Sequence, residues 1–352
     1  MRFHTEFSQS MAKSKNCITI AFLFIGILVS LESSSQGLFS KKNVINQYTT
    51  VGIGGGSSHY YGELSRLRYF HYGLYTNVRW NINANYTRYL TPNAAARLQL
   101  SWVRILGDDY NYSQRNLEIL YQNLIRNLHF RNDIKEVTLS GIFNLIPAYN
   151  GGARDRLKFT PYLTVGIGLA AHSPEGEVPL GLPDAGTWTP LRDKRTAGQD
   201  TPASTLKAYS LVTPVVPLGL GLRFKVNNKI DITFEGNVRL TNSDYLDDIG
   251  NDPYPNQAQL RSYIGEDVAY SYRAEEIFSR TDVNRIPLLI QAFSNIPGYS
   301  GSFDPAQIPQ YYGPEAQYGT MRGNTPRKDI YATTQVTISY IISDKIKCPV
   351  LK

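Results

Sequence analysis

The segment "IDITFEGNVRL" alternates without a break. Ile230, Ile232, Phe234, Gly236, Val238 and Leu240 fall on one face of an extended chain, and Asp231, Thr233, Glu235, Asn237 and Arg239 on the other. "VRWNINANY" does the same from Val78 to Tyr86, "QVTISYI" from Gln335 to Ile341, and "FTPYLTVGIGL" from Phe159 to Leu169. This period of two predicts eight strands, over residues 49–62, 76–90, 95–106, 133–146, 157–172, 212–225, 229–243 and 329–343.

The connections decide between architectures. "TPNA", "PAYNGGARDR" and "VNNK" are short, at 91–94, 147–156 and 226–229. Those at 65–75, 107–132, 173–211 and 244–328 are long, so short and long strictly alternate. That is the plan of an all-β, eight-stranded, antiparallel up-and-down transmembrane barrel, with tight turns at one end and long extracellular loops at the other. Each strand exceeds the roughly 9–11 residues that cross a bilayer at a tilt. A soluble sandwich also alternates, but its polar faces rarely carry Arg79, Arg97, Glu136, Arg223, Asp231, Glu235 and Arg239 together. In a barrel those charges face the lumen and neutralise one another. Phe143, Phe159 and Phe224 then fall at the turn end, as an interfacial girdle would.

Composition fits an exported chain. Charged residues are only 18% and tyrosines number 25. Near the start, Lys13 and Lys15 precede an apolar run from Ile18 to Val29 and then small residues, the layout of a secretory signal peptide over 1–35. The mature domain is then 36–352, with a long outer loop at 244–328, in which "QAQLRSYIGEDVAYSYRAEEIFSR" has helical character, and a periplasmic tail at 344–352. The run is too short for a comfortable membrane helix. Only Cys17 and Cys348 occur, so a mature chain would hold one thiol and no internal disulfide. The net charge of +7 is scattered, without the Lys/Arg cluster of a nucleic-acid surface.

Several stretches resemble functional motifs and fail on spacing. In "VGIGGGSSHYYGEL", Val51 to Leu64, no Lys follows the glycines and Ser57 stands where a dinucleotide loop has its third Gly. Gly52, Gly54 and Gly56 are expected on the inner wall, beside Gly166, Gly168, Gly219 and Gly221, leaving room for Arg and Tyr from the rest of the lumen. His4, His59, His71, His129 and His172 show no metal-binding spacing. Asp244, Asp247, Asp248 and Asp252 could attract calcium, but not as an EF-hand; a solvated loop mouth is the plainer expectation. No G-x-S-x-G or comparable motif supports an enzyme. The expectation is therefore no catalytic residue, no metal site and no cofactor.

Four stretches together resemble a known family: "VGIGGGSSHYYGEL", "NLHFRNDIKEVTL", "LTNSDYLDDIG" and "RGNTPRKDIYATTQVTISYII" followed by "KIKCP". They are similar to the PorG-like small outer-membrane barrels of the type IX secretion system, from about residue 45 to the end. The resemblance implies a non-enzymatic component in a Gram-negative outer membrane. It implies contact with ring proteins like PorK and PorN and a part in protein secretion and gliding motility. It carries over no individual contact residue. The even number of strands separately puts both termini in the periplasm. The alternatives are an independent surface barrel that binds or adheres through its outer loops and, with least support, a lipid-modifying enzyme using His59, His129 or His172.

Overall fold

In the computed structural model the described residues are 47–323 and 327–342. The expected leader 1–35, with His4 and Cys17, and the tail 344–352, with Cys348, lie outside them.

Eight strands close into one antiparallel barrel: β1 (Tyr48–Tyr61), β2 (Arg79–Tyr89), β3 (Ala94–Asp108), β4 (His129–Asn144), β5 (Phe159–Ala171), β8 (Val212–Lys225), β9 (Ile230–Thr241) and β10 (Ile330–Ile342). Sequence neighbours pair in order, β3 pairs β4, and β1 pairs β10, which closes the ring. A small hairpin, β6 (Pro174–Glu177) and β7 (Trp188–Pro190), continues from the loop-end edge of β4. Among the described residues no helix is long and apolar enough to cross a membrane; this chain crosses with strands.

The faces are inverted relative to a water-soluble barrel. Along β9, Asp231, Thr233, Glu235, Asn237 and Arg239 are buried while Phe234, Val238 and Leu240 are exposed. Ile53 is 72% exposed, Ile167 69% and Leu220 66%, all on the outer wall. An apolar belt around the whole circumference is stable only against lipid. Aromatic pairs edge it at both ends. Phe159 and Phe224 pack at 5.3 Å near the turns, and Trp80 and Trp102 at 5.2 Å near the loops.

The glycine run is explained by packing. A Cβ on Gly56 would fall on the backbone of Thr334, and one on Gly221 would enter the Tyr162 ring. Glycine thus lets neighbouring wall and lumen side chains approach closely.

Two differences from the sequence reading stand out. β3 runs to Asp108 and β4 starts at His129, past the expected ends at 106 and 133. They protrude as a hairpin and support the loops. The loops themselves are folded. Helices Leu117–Arg126, Ile286–Ser294 and Ile308–Tyr312 bring Leu124, Ile125, Leu289, Phe293 and Ile308 into a separate small core. The buried Arg285 donates to the carbonyls of Leu124 and Ile125, at the C-terminal end of the first helix.

Candidate functional site

Three features could carry function: the lumen, the mouth at the loop end and the cap above it. The lumen is filled. Arg97 lies 2.7 Å from Glu235, which also accepts from Tyr162 Oη at 2.6 Å, Asn237 Nδ2 at 2.7 Å and Gln335 Nε2 at 3.0 Å. Arg239 donates to both oxygens of Glu136, at 3.2 and 3.4 Å, and Tyr331 donates to the same carboxylate at 2.6 Å. Nearer the turns Arg156 grips Asp231 through Nε and Nη2 at 3.1–3.2 Å and also holds the carbonyls of Asn227 and Asn228. Arg223 donates to Tyr89 Oη at 2.5 Å. Tyr48 stacks on Tyr89 at 4.3 Å and meets Tyr149 at 5.3 Å, which closes the turn end with rings.

These contacts join the inward charges that alternation identified. Arg79 is the exception among them. It sits half-buried at the loop rim, where its guanidinium donates to the carbonyl of the adjacent Val78.

At the loop end the long segment after β9 folds back into the barrel mouth. Leu246 and Ile249 pack there against Tyr60 and Phe130. This places Asp247 beside Glu63 and Asp329, three buried carboxylates with oxygens within 4.8 Å of one another. Tyr60 Oη lies 2.6 Å from Asp247 and 3.1 Å from Asp329, Leu246 N donates to Asp329, and Ile249 N to Asp247. Burial pushes both aspartic carboxyls well above their ordinary range, and neighbouring carboxylates add to it. Such a trio can relieve its repulsion with protons or with a hard cation.

The four aspartates expected at the mouth do not converge. Asp248 is held by Thr196 and Tyr209, Asp252 by Tyr245, and Asp244 by the backbone of Asn251. They are also buried, so the mouth is a packed polar junction and not the solvated loop that the sequence predicts. Glu63 and Asp329 escaped the sequence reading because they belong to distant strand ends.

A group that binds protons more tightly in the folded state favours folding at low pH, and that contribution is lost as pH rises through its folded pKa. Asp247→Asn should therefore stabilise the loop end at pH 8 relative to pH 5, by on the order of 1 kcal/mol. Tyr60 keeps Asp329 as an acceptor. Amide exchange of the 244–250 backbone at both pH values reads this out, and faster exchange in the variant at pH 8 would contradict it.

The histidines stay apart. His59 lies 3.0 Å from Ser57 Oγ and 3.1 Å from the carbonyl of Gly73. Ser57 is in turn 2.7 Å from Thr334 Oγ1, so the pair is a polar tie across the outer wall. His172 stacks on Tyr209, and His129 packs against Trp188.

No protein-family model and no curated protein matches the chain. Among solved structures it is similar to Neisserial surface protein A, at 6% identity over 83% of this chain and 96% of that one, with a TM-score of 0.34. It is also similar to Ail, the attachment invasion locus protein of Yersinia pestis (8%, 84% and 99%, TM-score 0.33). The N-terminal β-barrel domain of Pseudomonas aeruginosa OprF matches at 6%, 83% and 97%, with a TM-score of 0.30. At these scores the barrel assignment rests on the strand pairing described above.

Proposed function

We propose that this is a non-conducting, non-enzymatic barrel of a Gram-negative outer membrane that anchors a protein secretion apparatus of the type IX kind. The observation that carries the reading is the filled lumen. A barrel blocked by buried ion pairs passes no solute, so its work lies at its ends. The sequence resemblance to PorG-like barrels supplies the partner, a periplasmic ring of PorK and PorN character. In this reading the short turns at 91–94, 147–156 and 226–229, with the tail 344–352, face the periplasm and dock the ring. Exposed Leu145, Ile146 and Val226 beside those turns offer apolar contact area.

A second reading, an independent surface barrel binding through its outer loops, is favoured by the folded cap. Its helices and separate core are more structure than a barrel needs for closure alone.

Gentle detergent extraction, pull-down and mass spectrometry separate the two. The anchor should recover periplasmic ring lipoproteins, and deletion of 344–352 should reduce that recovery while the barrel still assembles. A chain that brings down no ring component leaves the surface-binding reading. Orientation is tested separately. On intact cells a thiol reagent should label a cysteine placed at the exposed Ser300 and miss one at Asn228; both are exposed in the fold. Labelling at Asn228 alone would invert the topology. Planar bilayers should show no steady conductance.

A further inference from the structure

The cap contains a cleft of about 560 Å³ on its own surface, beyond the barrel mouth. This is within the size range of pockets that hold drug-sized ligands. Helix Leu117–Arg126 forms one wall, and segments around Tyr254, Tyr272, Tyr312 and Thr320 form the others. Among the described residues four arginines line it, and no carboxylate does.

The arginines are unequally neutralised. Arg126 is fully engaged by Asp109, at 2.7 and 2.8 Å. Arg273 reaches Glu276 at 3.4 Å. Arg322 is only 3% exposed, yet it approaches Asp248 no closer than 3.9 Å, and that carboxylate already accepts from Thr196 and Tyr209. Its Nη2 donates to Thr196 at 3.1 Å, while Nε and Nη1 meet no acceptor. Arg66 has one long contact, to Asn123 Oδ1 at 3.4 Å, and its Nε also meets none. Burial and the nearby charge of Arg126 lower the Arg66 pKa, as expected for a cation short of an anion. Buried donors without acceptors are costly and rare in folded proteins. Two such guanidinium groups beside one cleft mark a place for an anionic group, which arginine takes through paired, charge-assisted bonds.

The remaining lining narrows the ligand. Tyr121 and Tyr312 border the cleft with rings and polar tips, and the amides of Gln122 and Gln317 carry both donors and acceptors, whereas Asn123 is already held by Asp109 and Arg66 and the buried Tyr254 ring lies under Arg322. Flat rings bordered by amides suit a ring-shaped ligand rich in hydroxyls, which must donate and accept at once. An acyl chain would leave these amides unmatched.

We propose that this cleft binds an acidic saccharide, its sugar ring lying on the tyrosines and its carboxylate or sulfate held by Arg66 and Arg322. The inference goes beyond the anchor role, gives the surface-binding reading a ligand class, and is independent of any partner at the turn end.

The test is isothermal titration of the full chain, refolded in detergent, with digalacturonic acid, its neutral dimethyl ester, a monosulfated lactose, plain lactose and an acidic tetrapeptide. The uronate or the sulfated sugar should bind saturably, and which of them binds identifies the anionic group. The corresponding neutral sugar should bind about tenfold or more weaker, as should the acidic sugar to Arg322→Gln and to Arg66→Gln, the size expected for a lost charged hydrogen bond. Arg66 is half-buried and its side chain donates only to Asn123, so Arg66→Gln keeps the test valid if Arg322→Gln disturbs the cap. Equal affinity of acidic and neutral sugars, undiminished affinity in Arg66→Gln, or no saturation by either acidic sugar would overturn the proposal. Tighter binding of the tetrapeptide would overturn the saccharide assignment.

Discussion

Glu235→Ala is expected to cost the barrel about 3–5 kcal/mol, the usual penalty for removing one member of a buried ion pair. Glu235 is the hub of the lumen, with Arg97, Tyr162, Asn237 and Gln335 all donating to it. Its loss leaves the Arg97 charge buried without a counter-ion, in a side chain whose Nε already meets no acceptor. Three neutral donors lose their partner as well. Glu235→Gln keeps the shape and part of the accepting capacity, so it should fall between parent and alanine. Arg97→Met combined with Glu235→Gln should recover much of the loss, because the charge goes with its partner. Urea unfolding of the refolded barrel, followed by tryptophan fluorescence and by the heat-dependent gel shift, measures the series. Glu266 is the proper control, since it is exposed and paired only with Arg261; its alanine variant should stay within about 0.5 kcal/mol. Glu276 is a poor control despite its place in the long loop, because Arg273 and Asn127 hold its carboxylate. A Glu235→Ala loss no larger than that of Glu266→Ala would remove the basis for a sealed lumen.

The barrel was legible because its information is local. Alternation within β9 fixes which face of each strand is polar, and alternating connection lengths fix the order of the strands. What joins Arg97 to Glu235 is not local. They sit 138 positions apart on β3 and β9, and only closure of the ring brings their side chains together. The same limit hid the Glu63, Asp247 and Asp329 trio, one residue following β1, one in the loop after β9 and one preceding β10. It also worked in reverse. Asp247 and Asp248 are adjacent in sequence and look like one cluster, yet Asp247 joins the trio while Asp248 turns to Thr196 and Tyr209. Of the cap, helical character is read only in the stretch that holds the helix Gln257–Ile264; the other helices are missed because a search for period two assigns the rest between strands to connection. The helix Leu117–Arg126 lies inside such a stretch, capped by Asn116 accepting from Ile119 N and ending on Asn127 in the left-handed region. Those end signals, with its 3.6-residue apolar spacing, were available in the sequence.

Ile53→Arg is expected to destabilise the barrel by about 2–4 kcal/mol in lipid vesicles, the range for a cation on the lipid face near the bilayer midplane. Ile53 lies in the interior of β1, pairs with Ile338 on β10 and Ala84 on β2, and points away from the lumen. On a water-soluble barrel the same change would place a charge in solvent and cost little, since exposed substitutions usually stay within about 0.5 kcal/mol. The sign and size of this one measurement therefore report what surrounds the outer wall. Val226→Arg provides the comparison. Val226 is also exposed, but it lies beyond the end of β8 in the turn before β9, where an arginine can reach the headgroup region. It should cost less than about 1 kcal/mol. Thinner vesicles should narrow the gap between the two variants, because the Ile53 site then lies nearer to water. Equal stability of Ile53→Arg and Val226→Arg would mean that the apolar belt is not set in hydrocarbon.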